Sequence, residues 1–188
     1  KVVLSDAAGE QVAIEMIAAF PDFLPNPIVG VPNNVRLSNP FDLVVVGNEG
    51  YVTDGGQNLV WQVNIPTGVF SPLATFAAIP NPVFPGVGGP NLDAVPTGID
   101  YSNGHLLVTL LRGAPFPPGS SQVLSIDPWS GEQTPIISGL KTAIDVISTK
   151  EYADTAYFIL QHASSGLFFG SAGHLLNFQE DEVSPTVL

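Results

Sequence analysis

Three kinds of residue in this chain could do chemistry: its histidines, a recurrent aspartate, and aromatic rings set in proline- and glycine-rich stretches. None of the histidines, His105, His162 and His174, has another His, Asp or Glu two or four positions away, the spacing of a local metal motif. His105 follows a Ser-Asn-Gly turn and reads as a turn residue, and His174 as a partly exposed strand residue. His162 ends an apolar run at a long loop, where its ring can face a pocket. Asp42, Asp100 and Asp145 each stand near the start of an apolar run, 58 and 45 residues apart. Carboxylates repeated in this way could line a central channel and hold Ca²⁺, which takes several oxygen ligands. The alternative is that each accepts backbone N–H groups and pins a neighbouring segment. Repetition favours pinning, because architecture repeats and active sites seldom do. Asp54, followed by Gly55, Gly56 and Asn58, reads as a turn on the same ground.

Nucleophiles are no better supported. No Gly-x-Ser-x-Gly elbow occurs, and Gly170-Ser171-Ala172-Gly173 lacks its spacing. Gly86-Val87-Gly88-Gly89 precedes no helical pattern, so it is no phosphate loop. Cysteine is absent, which removes thiol catalysis, disulfides and cysteine-ligated zinc. No catalytic residue, metal site or cofactor is assigned, with Ca²⁺ the one ion kept open.

The elements that must position these residues are short strands. A hairpin pattern, strand then tight turn then strand, recurs around Gly9, Gly68 and Gly131, which lie 59 and 63 residues apart, with a weaker version at 176–183. A second pattern interleaves with it. Pro40–Val46 precedes a Gly-Asn-Glu-Gly turn, Pro96–Tyr101 a Ser-Asn-Gly turn, and Thr142–Ile147 a longer turn before Ala156–Leu160. Each period holds four β-rich runs, and helical periodicity is nearly absent; residues 11–20 fit a fourth strand or one short helix. Four-strand units repeating at roughly 40–50 residues are the signature of propeller blades. The expected fold is therefore all-β, a propeller of four-stranded antiparallel blades. Blades are expected at 39–77, 95–138 and 142–188, with a half-blade at 1–20, about three and a half of a six-bladed ring. A ring of that size needs roughly 270–300 residues, so a missing segment or another chain is expected to complete it. Trp61 is expected in the core, and Trp129, in a turn, packed against a neighbouring blade.

Composition agrees with this class and excludes others. The chain has 188 residues, 45% hydrophobic and 12% charged, enough apolar material for one large core. Acidic side chains outnumber basic ones 17 to 5, for a net charge of −12, which argues against a nucleic-acid partner. No run of 18 uninterrupted apolar residues occurs, so no membrane span is expected. The first residue is Lys1 and no basic-then-apolar leader follows, the mark of a processed product or a fragment.

The segment Tyr51–Val60, with its Asp54-Gly55-Gly56-Gln57-Asn58 turn, resembles the strand–turn–strand of NHL-type propellers. The fuller string adds Asn39-Pro40-Phe41-Asp42, Val95-Pro96-Thr97, Pro115-Phe116-Pro117-Pro118-Gly119 and Ala143-Ile144-Asp145. From about residue 39 to 178 this resembles the ScyD/ScyE family, bacterial NHL-like propellers named after cyanobacterial gene clusters for scytonemin. The Phe-Pro-Pro-Gly loop is its most distinctive part. The resemblance implies a larger propeller, exported to an extracellular or periplasmic location, and implies no established reaction.

Function is expected on one face. The turns Gly47–Gly50, Pro66–Gly68, Ser102–Gly104 and Asp127–Gly131 are short. The opposite connections, Pro21–Ser38, Ile79–Ala94, Gly113–Ser121 and His162–Gly173, are long, and loops lengthen where function accumulates. Phe84, Phe116 and Phe168 sit on these loops, with Arg112 at the foot of one, Asp93 at the end of another, and His162 beside a third. These six are the expected contacts for a small molecule or a partner protein. The expected function is a binding or scaffolding module; the alternative is a six-bladed, Ca²⁺-dependent hydrolase or lactonase-like enzyme.

Overall fold

The computed structural model describes residues 2–151, 154–179 and 186–187. Among them no helix forms, so none is long and apolar enough to cross a membrane. The strands follow the turn chemistry. The first hairpin joins β1 (Val2–Ser5) to β2 (Gln11–Ile14), and a second joins β3 (Phe23–Pro25) to β4 (Val35–Leu37). The first four-stranded sheet is the antiparallel meander β5 (Pro40–Val46), β6 (Glu49–Asp54), β7 (Leu59–Asn64) and β8 (Phe70–Thr75). A two-stranded pair, β9 (Ile79–Pro80) and β10 (Asn91–Leu92), leads to the second sheet: β11 (Pro96–Ser102), β12 (His105–Leu110), β13 (Ser121–Ile126) and β14 (Gln133–Leu140). The third contains β15 (Ala143–Glu151), β16 (Asp154–Gln161), β17 (His174–Gln179) and β18 (Thr186–Val187). Among the described residues the sheets form no closed barrel or ring.

The three large sheets stack face to face in chain order, their first strands in contact (β5 with β11, β11 with β15). The first interface buries Tyr51, Val60 and Ala74 against Ile99, Leu106, Val108 and Leu124. The second buries Leu107, Val123 and Ile137 against Val146, Ile159, Leu176 and Phe178. Alternating strand residues therefore point to opposite neighbours, and the middle sheet is apolar on both faces. Hydroxyls tie neighbouring sheets together. Thr53 donates to the Thr97 carbonyl at 2.5 Å, and Thr97 donates to the Ala143 carbonyl at 3.3 Å.

Register corrects one expectation. Asp42 pairs with Thr53 and Asp145 with Leu160, each just past a bulge at the strand start. In β11 the matching bulge lies between Pro96 and Ile99, while Asp100 pairs with Leu107 further along. The residue equivalent to Asp42 and Asp145 is thus Gly98, not Asp100. Nothing larger fits there: a Cβ on Gly98 would lie 2.5 Å from the Cα of Asp145.

Two further expectations change. Trp61 is buried as expected, its ring stacked on Phe20 at 5.4 Å and edge-on to Phe70. Trp129 instead stands 81% exposed. Asp127 Oδ1 accepts the amides of Trp129 and Ser130, which fixes the turn tip in solvent and lowers the Asp127 pKa. In 11–20 the strand covers only Gln11–Ile14, and the rest is neither helix nor strand. Both strands of that first hairpin are exposed along their length. The turn between β17 and β18, and Tyr152-Ala153 between β15 and β16, lie outside the described residues.

Candidate functional site

The long connections bring several of the expected residues together. The Phe116 ring, half-buried on the β12–β13 loop, stacks on Phe169 of the β16–β17 loop, with centroids 4.3 Å apart. Phe169 in turn meets His162, 4.4 Å away and tilted by 58°. The amide of Phe168 donates to the Pro115 carbonyl at 2.8 Å, joining the two loops by backbone as well. The loop after β9 closes against them, since a Cβ on Gly88 would lie 2.9 Å from Pro115 Cδ. That loop is organised by Asn81, whose side-chain amide donates to the carbonyls of Val87 and Gly89 at 2.8 Å each. Phe84 sits exposed upon it, with no ring contact among the described residues.

A buried lysine holds this cluster from below. Lys141, 3% exposed, donates from Nζ to the carbonyls of Ser165 and Phe168 at 2.6 and 2.7 Å, and burial lowers its pKa. An ammonium out of water requires such acceptors. Here they are the backbone of the loop that carries Phe169. Ser171 staples the same loop, accepting the amides of Ser164 and Ser165 and donating to the Ser165 carbonyl. Its hydroxyl is therefore spent on structure.

Arg112 and Asp93 play different parts from the rings. Arg112 is 4% exposed, its Nε donating to the Ser120 carbonyl at 3.0 Å, and burial lowers its pKa. It braces the foot of the Phe116 loop from inside. Asp93 pairs with Arg36 at 2.6 Å, in a partly solvated ion pair of modest worth. The backbone here is forced: Arg112, Phe116 and Phe168 have φ of 73°, 56° and 55°, a left-handed region that side chains with a Cβ seldom adopt. Strain of this kind persists only where surrounding contacts over-determine it.

Asp42, Asp100 and Asp54 are spent on assembly. Asp42 Oδ2 accepts the Ile99 amide at 3.0 Å, and Asp100 Oδ2 accepts the Ser148 amide and hydroxyl at 2.7 and 2.8 Å. Each reaches into the next sheet. Asp54 accepts the amides of Asn39, Gly56 and Gln57 and the Ser38 hydroxyl, which closes its turn. Among the described residues no three His, Asp or Glu side chains form a group able to hold a metal ion.

Sequence reasoning missed Phe169 and Lys141. Phe169 was legible as the neighbour of Phe168, but the left-handed turn at 168 decides which ring faces Phe116. Lys141 left no motif. The chain matches no protein-family model and no curated protein.

Proposed function

We propose that this chain is an arc of a β-propeller that works as a non-enzymatic binding or scaffolding module, through the face carrying Phe116, Phe169 and His162. The observation that carries the reading is a partly exposed cluster of three rings, Phe116 stacked on Phe169 and His162 tilted against it, across two loops of which one is held by a buried lysine. Ring faces that are solvent-accessible and immobile lose little entropy on contact, and aromatic pairs add about 0.5–1.5 kcal/mol beyond area burial. The ligand class is a planar or apolar group, free or borne on a protein. The propeller reading is supported by three successive four-stranded meanders stacked through their first strands. Export and kinship with the ScyD/ScyE family rest on the sequence resemblance, chiefly the Pro115–Gly119 loop.

Saturation-transfer NMR with indole, naphthol and phenol as probes tests the site. The wild-type chain is expected to bind at least one of them. Phe116→Ala combined with Phe169→Ala should abolish that binding with a melting temperature lowered by only a few degrees. Equal binding by wild type and the double variant places the working surface elsewhere.

A further inference from the structure

The third sheet has an open face. Its register sets Asp145, Ile147, Phe158, Leu160 and Leu175 on the side away from the second sheet. Ile147, Leu160 and Leu175 are 53%, 43% and 42% exposed. The corresponding face of the first sheet, with Val44, Val46 and Tyr51, is covered by the second. That of the second, with Leu107 and Val123, is covered by the third.

The aspartates say what covers such a face. Asp42 uses Oδ1 for the amide of the next residue, Leu43, at 2.8 Å, and Oδ2 for Ile99 of the following sheet. Asp145 makes the first of these bonds, from the Val146 amide at 2.8 Å, and among the described residues nothing donates to its Oδ2. Burial raises the Asp145 pKa, the Val146 amide opposes this, and the charges of Asp42 and Asp100 add to it. The amide of Ile99, the residue after Gly98, is available to Asp42 because a glycine has no side chain to claim it, and the missing Cβ leaves room for Asp145 as well. Along the stack the position therefore runs Asp, Gly, Asp.

We propose that the open face of β15–β17 docks a further sheet of this same repeat, one carrying glycine at the position of Gly98 and a free amide on the residue after it. This rests on the stacked-sheet reading above. A second copy of the chain does not fit through its own β5: Asp42 occupies the glycine position, and the Leu43 amide is already bonded. Residues 15–20 also lie across that side of β5, sharing an apolar groove with Leu43, Val45 and Val52. If the alternation holds round a closed ring, the ring has an even number of sheets.

The chain has no cysteine, so Ile147→Cys, with Leu160→Cys as a second reporter, gives a clean thiol on this face. Each is placed in the full chain extended at its C-terminus, through a Gly/Ser linker, by a copy of residues 95–140 or of residues 39–77. The copy bearing Gly98 should slow labelling by a small maleimide at least tenfold relative to the unextended chain. Asp145→Ala should return that rate toward the unextended value, and the copy bearing Asp42 should leave it unchanged. Equal slowing by both copies overturns the glycine requirement and leaves the stacked architecture standing. Slowing by neither overturns both.

Discussion

Lys141 illustrates how one residue sets the geometry of others it never touches by side chain. Its ammonium is buried beneath the 162–173 loop and is satisfied by two backbone carbonyls. Hydrogen bonds to a charged group contribute about 1.5–3 kcal/mol each, and an acceptor left dry costs about as much. Lys141→Met keeps the volume and removes both donors. The expected cost is about 2–4 kcal/mol, or a melting temperature lower by about 5–15 °C at this chain length. Binding of the aromatic probes should weaken in parallel, because the carbonyl of Phe168 is one of the two anchors. Calorimetry that finds the melt unchanged would show that the loop stands without the lysine. Arg112 belongs to the same class of interior brace. Substituting it to test binding confounds affinity with stability, whereas Phe116 and Phe169 are half-buried rings whose removal leaves the core intact. Neither cation announces itself in the sequence: five Lys and Arg are scattered through the chain, and burial of two of them follows from loop packing alone.

Elements were the most legible level. Gly and Asn turns at fixed offsets, with apolar alternation before them, locate the first strands of the first two large sheets to within a residue, because a turn needing positive φ accepts few residue types. Gly9, Gly68, Gly104 and Gly131 all adopt it. The bulges were not legible. An extra residue at the start of β5, β11 and β15 shifts which side chains correspond, and no residue type marks it; hence Asp100 looked equivalent to Asp42. The correction has a pH signature. Burial raises the Asp145 pKa, so between the ordinary value of 3.8 and the raised one the folded state holds more protons than the unfolded. Stability due to this group is present below 3.8 and is lost as pH climbs through the raised value. Asp145→Asn keeps an oxygen for the Val146 amide and removes the charge. It should be more stable than wild type at pH 7, by no more than about 1 kcal/mol because the carboxyl is partly solvated. The gap should close as pH falls below 3.8. Thermal melts from pH 3 to 7 that run parallel for the two proteins would refute the assignment.

At the scale of the whole molecule, stacking order decides which parts hold the rest. Repetition in the sequence announced units that cannot bury their own faces alone, the general condition of repeat architectures. It could not say which faces end up covered, since a strand's alternation looks the same whether its outer neighbour is present or absent. In the structure the middle sheet has partners on both sides, and every residue from Leu106 to Leu110 is buried. The first sheet is covered on one face and only partly on the other, the third on one face, and the hairpin of β1 and β2 on neither. Opening free energies track such coverage, from near zero for uncovered hairpins to the global value for doubly covered strands. Native-state hydrogen exchange should therefore rank β12 and β13 slowest, β6 and β16 next, and β1 and β2 fastest, close to the rate of an unprotected chain. The same ranking sets the response to mutation: Val108→Ala, at a site of zero exposure between two sheets, should lower protection in all three. A β15–β16 pair that exchanges more slowly than β12–β13 would mean that the third sheet has its outer face covered in solution, and would move the open end of the stack elsewhere.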